Sequence, residues 1–372
     1  MATRHSGRVA VPALTVAIAS WLAACTDTDD HSNVGASTPA VTTTTRASSP
    51  AALATTSTVA SAEGTSIPTS PATASTMPPT SALASPTALT RVAGELAYAT
   101  GSIAQRLDLY MPVEVPHPAL VVFIHGGGWV TGDKRGPLPT TAVEFFVEQG
   151  YAVASVNYRL ADEATFPAQL LDVKAAIRWL RANAGSYGFD PDRMVVVGES
   201  AGAHLASLLG VSAGEPQFDD PDLGNAGVSS AVSAVVDFYG PVDLLASPDQ
   251  LDANAYCQQL GRQAGELDPA IEQLLGAPAA DVPDLAGAAN PLLYLSPDRD
   301  VPPFLILHGD RDCIVPYQAS VALDAAIRDV AGPERSTLVI VPGSGHYLDF
   351  DFESQIPTVI DFLARTLSPS ST

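Results

Sequence analysis

From residue 103 onward, short apolar segments alternate with longer segments in which apolar residues recur every three or four positions. The short segments predict buried strands, and the longer ones predict amphipathic helices. The predicted strands are 103–110, 120–124, 152–156, 194–197, 231–238, 304–307 and 337–341, and the predicted helices are 140–149, 168–183, 203–211, 317–330 and 354–366. This alternation is typical of the α/β class, with a mostly parallel sheet that helices cover on both faces.

Two regions lack this alternation. Residues from about 241 to 297 are rich in Pro, Gly, Asp and Gln and contain only two weak helical patterns. We expect them to form a cap above the sheet. Residues 26–90 are almost wholly Thr, Ser, Ala and Pro, a composition that cannot bury a core, so we expect a disordered tether. The remaining segment, 91–372, is long enough for one large domain with the cap inserted in it.

Residues 1–25 have the pattern of an export signal, because two arginines precede an apolar stretch that ends in Leu22-Ala23-Ala24-Cys25. This ending resembles a bacterial lipobox, which implies cleavage before Cys25 and attachment of diacylglycerol to its sulfur. The alternative is an ordinary secretory signal that contains a cysteine. The sequence thus predicts an extracytoplasmic protein, lipid-anchored to the bacterial cell membrane or surface.

The formal net charge of −22 and the presence of only two lysines argue against nucleic acid or anionic lipid as a partner. Beyond Cys25 the chain has two cysteines, Cys257 and Cys313. In an exported protein they could form a disulfide, which would tether the residue after Asp312. The sequence leaves this bond and a pair of thiols as alternatives.

A candidate nucleophile lies in Gly198-Glu199-Ser200-Ala201-Gly202, where the strand 194–197 runs directly into the helix 203–211. A serine between small residues at such a junction is typical of a nucleophile elbow, a strained turn that exposes the hydroxyl at the carboxyl edge of the sheet. Side chains at Gly198 and Gly202 would collide in this turn. The pattern alone is only moderately specific, so its context decides.

A glycine-rich loop, His125-Gly126-Gly127-Gly128-Trp129, follows the strand 120–124. Its glycines allow backbone amides to point into the cleft, which suits the binding of an oxyanion. The alternatives are a tight turn or a phosphate-binding loop, but no Lys-Ser/Thr follows and no GxGxxG is completed. Trp129 either packs beneath this loop or lines the pocket.

His346 is the best candidate for a general base among the seven histidines, because it lies in a small, flexible loop after the last predicted strand. Three other histidines precede the core. His125 is expected to brace the glycine loop, and His204 lies on the helix behind Ser200 and is directed away from its hydroxyl. His308 ends an apolar strand and is typical of a hydrogen-bonded histidine near the core.

The candidate acid is Asp312 in His308-Gly309-Asp310-Arg311-Asp312, which follows the strand 304–307. Asp310 is the alternative, but it is better placed to hydrogen bond within the turn. An acid is needed because it orients the base and stabilises the imidazolium.

Five motifs together resemble the hormone-sensitive-lipase-like α/β-hydrolases. They are the glycine loop, Asn157-Tyr158-Arg159-Leu160 with Phe166-Pro167, Asp190-Pro191-Asp192-Arg193, the Ser200 motif and Gly345-His346. The order Ser, Asp, His is also that of α/β-hydrolases. The likeness covers about residues 100–366 and is greatest to bacterial esterases related to bifunctional acetylxylan and feruloyl esterases.

This resemblance implies an α/β-hydrolase fold, no cofactor, and oxyanion donors at the N–H groups of Gly127, Gly128 and Ala201. No metal site is predicted. We expect Asn157-Tyr158-Arg159 to form a structural corner and Glu199 to face the glycine loop or a neighbouring strand.

The predicted activity is that of a serine carboxylesterase acting on short-acyl or carbohydrate-linked esters through an acyl-enzyme on Ser200. The alternatives are a serine peptidase or lipase of the same fold and, from another class, an inactive hydrolase-like binding lipoprotein.

Overall fold

The computed structural model describes residues 90–245, 255–259 and 267–367. The predicted signal 1–25 with Cys25, and the predicted tether up to residue 89, lie outside the described residues. The bounds of the signal, the tether and the cap therefore stay predictions. In the part of the chain that is described, no helix has both the length and the apolar character needed to cross a bilayer.

Eight strands form one sheet in the described ranges. They are β1 (Thr90–Ala97), β2 (Arg106–Met111), β3 (Leu120–Ile124), β4 (Ala152–Val156), β5 (Met194–Glu199), β6 (Ala234–Phe238), β7 (Phe304–Gly309) and β8 (Ser336–Val341). Their order is β1-β2-β4-β3-β5-β6-β7-β8. β2 pairs antiparallel with β1 and β4, and the other pairs are parallel. The mostly parallel sheet confirms the predicted α/β class.

Helices cover both faces of the sheet. The helices of the described residues are α1 (Pro137–Glu148), α2 (Ala168–Tyr187), α3 (Ala201–Val211), α4 (Ala255–Gln259), α5 (Asp268–Leu275), α6 (Pro283–Ala288), α7 (Gln318–Ala331) and α8 (Phe352–Thr366). One apolar cluster joins α2, α3 and α7 to one face, and a second joins α1 and α8 to the other. The alternation of side chains along each strand supplies both clusters, since Val196 faces the first and Val197 the second.

β1 is the strand that sequence analysis missed, because its first residue was placed in the tether and the rest were not recognised as a strand. Its sequence, TRVAGELA, has two charged residues and a glycine and no clear alternation. Antiparallel pairing with β2 holds it at the edge of the sheet, with register shifts on both sides of Ala93. Pairing with a neighbour, rather than local pattern, decides such an edge strand.

Short helices in the predicted cap region lie against the core. The backbone N–H of Phe166 donates to the carbonyl oxygen of Leu274 at the end of α5 (2.8 Å). His204 Nε2 donates to the carbonyl oxygen of Ala289, which follows α6 (2.7 Å). These contacts bring the described part of the region beside the loops at the carboxyl ends of the strands.

The parallel register gathers the predicted motifs at one edge of the sheet. Ile124 at the end of β3 is aligned with Gly198 near the end of β5. Gly309 at the end of β7 is aligned with Val341 at the end of β8. Loops that leave these four strands therefore meet at the carboxyl edge, where ligands bind in open α/β sheets.

Candidate active site

Ser200 sits in a sharp turn between β5 and α3, with φ 52° and ψ −121°. A Cβ at Gly198 would lie 2.3 Å from the carbonyl oxygen of Gly202, and a Cβ at Gly202 would lie 2.2 Å from that of Ile124. The two glycines are therefore required for the close approach of β3, β5 and α3. This geometry is that of a nucleophile elbow.

The structure brings Ser200, His346 and Asp312 into one hydrogen-bonded line. Ser200 Oγ lies 3.0 Å from His346 Nε2, and His346 Nδ1 lies 2.6 Å from Asp312 Oδ2. Because a carboxylate can only accept, Nδ1 carries the proton and Nε2 is free to accept from the serine hydroxyl. The three residues come from the loops after β5, β8 and β7.

Asp312 is fully buried and strongly hydrogen bonded. Its Oδ1 accepts from the backbone N–H groups of Ile314 (2.8 Å) and Val315 (2.9 Å). Burial alone would raise the pKa of Asp312, but attraction to His346 and hydrogen bonds from His308 and His346 outweigh it and hold the pKa well below its usual range. The carboxyl group is thus ionised wherever the protein is folded near neutral pH.

His308 contacts the candidate acid, and the sequence analysis did not predict this contact. It is buried and hydrogen bonded as expected, yet its Nε2 lies 3.1 Å from Asp312 Oδ2, the oxygen that also accepts from His346. Nε2 is also 2.9 Å from the carbonyl oxygen of Val315, so it must be the protonated nitrogen. Nδ1 lies 2.7 Å from Ser320 Oγ on α7. The spacing of four residues between His308 and Asp312 was the only available signal.

The glycine loop has the backbone conformation that its sequence requires. Gly127 and Gly128 have φ values of 104° and 60°, and a Cβ at Gly127 would lie 2.2 Å from the carbonyl oxygen of Thr131. Within the described ranges the N–H groups of both glycines have no acceptor, and both residues line the cavity that contains Ser200. Ala201 is the first residue of α3, where helix N–H groups lack intrahelical partners. These three groups are suitable oxyanion donors.

Buried polar contacts hold the glycine loop in place. Glu199 Oε1 accepts from the N–H of Gly126 (2.6 Å), as expected for a residue that faces the loop. The hydroxyl of Tyr158 donates to the carbonyl oxygen of His125 (3.0 Å), and the two rings stack with centroids 4.5 Å apart. Trp129 is fully buried and meets His204 edge-on, so it packs beneath the loop.

Asp310, the alternative acid, braces the loop of the candidate base. Its Oδ1 accepts from the backbone N–H of Gly343 (2.7 Å), three residues before His346.

The guanidinium group of Arg159 makes two hydrogen bonds to the carboxylate of Asp172 on α2. These bonds support the structural interpretation of the motif Asn157-Tyr158-Arg159.

A disulfide joins Cys257 of α4 to Cys313, with Cα atoms 5.5 Å apart. The sequence left a disulfide and a pair of thiols as alternatives, and the structure contains the disulfide. Because Cys313 follows Asp312, the bridge ties the cap region to the backbone of the candidate acid.

The cavity in front of Ser200 has a volume of about 440 Å³. Its lining includes Ser200, His346, the glycine loop, the beginning of α1, and Leu267 and Ile314. In the described part of the chain, no three His, Cys, Asp or Glu side chains are arranged to hold a metal ion.

The BD-FAE family model matches residues 107–327, more than half of the chain. This chain belongs to the BD-FAE family.

Two curated relatives of this BD-FAE protein carry esterase names. Esterase LipQ of Mycobacterium tuberculosis (strain ATCC 25618 / H37Rv) is 31% identical over 259 residues, which is 68% of this chain and 57% of LipQ. Esterase LipC of the same strain is 31% identical over 66% of this chain and 57% of LipC. The match thus spans a little over half the length of these relatives.

Solved structures place the BD-FAE protein among α/β-hydrolases. A bifunctional GH43-CE protein of Bacteroides eggerthii is 29% identical with a TM-score of 0.64, covering 73% of this chain and 38% of that one. A truncated carbohydrate esterase from gut microbiota is 28% identical with a TM-score of 0.61, covering 74% and 96%. An esterase of Thermogutta terrifontis, at 22% identity and a TM-score of 0.56 over 77% and 95%, shares the fold. The predicted α/β-hydrolase fold is therefore confirmed.

Proposed function

We propose that this protein is a serine carboxylesterase in which Ser200 is the nucleophile, His346 the general base and Asp312 the acid. The observation that carries the proposal is the hydrogen-bonded line from Ser200 Oγ through His346 to Asp312, with distances of 3.0 and 2.6 Å. Ser200, at one end of this line, shares its cavity with Gly127 and Gly128, whose N–H groups have no acceptor in the described residues. Nucleophile, base, acid and oxyanion donors are the four parts that ester hydrolysis by serine needs.

In the proposed reaction, His346 Nε2 takes the proton of Ser200 as Oγ attacks the ester carbonyl. The N–H groups of Gly127, Gly128 and Ala201 stabilise the oxyanion of the tetrahedral intermediate. The imidazolium then protonates the leaving alcohol, and an acyl-enzyme remains on Ser200. Water enters with the same base and releases the acid, while ionised Asp312 fixes the imidazole tautomer throughout.

The relatives support a small-molecule or carbohydrate ester as the substrate, since the names of the curated relatives and solved structures include esterase and carbohydrate esterase. The cavity of about 440 Å³ at Ser200 is large enough for a small ester.

The test is hydrolysis of p-nitrophenyl acetate by wild type and by Ser200→Ala. We expect the variant to lose about 10³-fold or more in kcat, because oxyanion donors alone give little turnover. Ser186→Ala, on an exposed part of α2, is the matched control and should keep wild-type activity. Wild-type turnover by Ser200→Ala would show that another residue is the nucleophile.

A fluorophosphonate probe separates the esterase from an inactive binding protein. Folded wild type should be labelled at Ser200, and Ser200→Ala should not be labelled. A folded protein that remains unlabelled and hydrolyses no ester would support the binding protein instead.

A further inference from the structure

A second cavity lies between α1 and α8. Glu199 lines both this cavity and the cavity that contains Ser200. The volume of the second cavity is about 230 Å³. Its walls are almost entirely aliphatic and aromatic, formed among others by Ala142, Phe145, Val197, Phe238, Phe352 and Val359. We call this cavity the α1–α8 slot.

The slot adjoins the cavity of the candidate nucleophile. Leu138 and Glu199 line both cavities. Glu199 immediately precedes Ser200, and Leu138 lies in the first turn of α1, next to Pro137, which also lines the cavity of Ser200. The two cavities therefore share a wall beside Ser200.

Two polar groups in the wall of the slot have partners within the protein. Glu199 Oε1 accepts from the N–H of Gly126, and the hydroxyl of Thr141 donates to the carbonyl oxygen of Pro137 (3.1 Å). Burial also raises the pKa of Glu199, which favours its neutral form more than in an exposed glutamate. A sugar in the slot would find few partners for its hydroxyls, whereas a hydrocarbon chain needs none.

We propose that the α1–α8 slot binds the acyl chain of the ester, so that the protein prefers straight acyl chains of medium length to acetyl. This inference rests on the proposed function and names the substrate class of the same site. The acyl group is the part of the substrate that stays bonded to Ser200 Oγ after the alcohol leaves, so a slot beside Ser200 serves it in both halves of the reaction.

The outer end of the slot faces solvent, because Thr141 and Ile356 in its wall are exposed. A chain that outgrows the slot can therefore continue into water without a clash. Each methylene that enters an apolar site increases kcat/KM by about fourfold. We expect kcat/KM to rise from acetate towards octanoate and then to level off.

The experiment measures kcat/KM for p-nitrophenyl acetate, butyrate, hexanoate and octanoate, which share one leaving group. In wild type the octanoate-to-acetate ratio should exceed about ten, a factor that about two of the six added methylenes supply at about fourfold each. Ala142→Phe places a ring in the slot from α1 and should lower this ratio at least tenfold. Ala325→Phe makes the same change on an exposed part of α7 and should leave the ratio at the wild-type value.

Labelling of Ser200 by a small organophosphate separates this inference from the proposed function. If wild type is labelled but kcat/KM falls beyond butyrate, or if Ala142→Phe keeps the wild-type ratio, the slot does not bind the acyl chain. If folded wild type is not labelled and hydrolyses no ester, both proposals are wrong. Should Ala142→Phe fail to fold by circular dichroism, Ile356→Trp narrows the slot from α8 and the same criterion applies.

Discussion

At the scale of single residues, the unusual feature of the site is an aspartate oxygen shared by two histidines. Asp312 Oδ2 accepts from His346 Nδ1 at 2.6 Å and lies 3.1 Å from His308 Nε2. His308 is itself fixed by Val315 and by Ser320 of α7. The orientation of the candidate base is thus connected to α7 through His308, and we expect His308 to act as a positioning residue.

His308→Phe should lower kcat at least about tenfold with little change in KM, because a hydrogen bond to a charged group contributes at least about 1.5 kcal/mol, which corresponds to about tenfold in rate. His308→Gln, whose amide can still donate to Asp312, should recover most of the loss. Steady-state kinetics with p-nitrophenyl acetate would measure both. If the two variants lost activity equally, and only in proportion to a lower unfolding free energy, His308 would have a structural role alone.

The glycines of the glycine loop and of the Ser200 motif, and the order of the motifs, could be predicted from the sequence. Each glycine is required by close contacts within its own turn, and each motif has the residue types that its chemistry needs. The contact of His308 with Asp312 could not be predicted from the sequence. A histidine at the end of an apolar strand gives the same sequence pattern whether or not its ring reaches the acid.

At the scale of elements, β3 to β7 could be predicted because burial on both faces leaves apolar runs in the sequence. β1 could not, because its pairing with β2 stabilises it more than its own composition does. The α1–α8 slot was also beyond prediction, since its walls come from two helices and three strands far apart in sequence. The disulfide belongs to this scale too, because it ties α4 to the loop after β7.

Replacing both bridge cysteines, Cys257→Ser with Cys313→Ser, should lower the free energy of unfolding by about 4 kcal/mol in the chain-entropy model. This value follows from a sequence separation of 56 residues. It should also lower kcat severalfold, because the backbone beside Asp312 loses its tether. Urea unfolding and p-nitrophenyl acetate kinetics would measure the two effects.

Dithiothreitol is the control for this variant. It should reproduce both effects in wild type and change nothing in the double variant. An unfolding midpoint that is the same with and without the bridge would contradict the prediction.

At the scale of the whole molecule, membership of the BD-FAE family and the α/β-hydrolase fold agree with the resemblance that the sequence motifs showed. We propose that the chain is exported and anchored by a lipid on Cys25, on the basis of residues 1–25 alone. With a net charge of −22, a protein held at a membrane is repelled electrostatically by anionic surfaces close to it.

Radiolabelled palmitate should enter the wild-type protein in a bacterial host with lipoprotein processing, and Cys25→Ala should remove the label because the acceptor sulfur is gone. Thr26→Ala, which changes the next residue, should keep it. Label that persisted in Cys25→Ala, or that never entered wild type, would rule out the anchor.

The bridge between Cys257 and Cys313 also affects how the protein is prepared. Chains made in a reducing cytosol start without the bond, whereas chains passed through an oxidising compartment acquire it. Two preparations of identical sequence would then differ in the freedom of the backbone beside Asp312. Rates measured on them are comparable only after the thiols of each batch have been titrated.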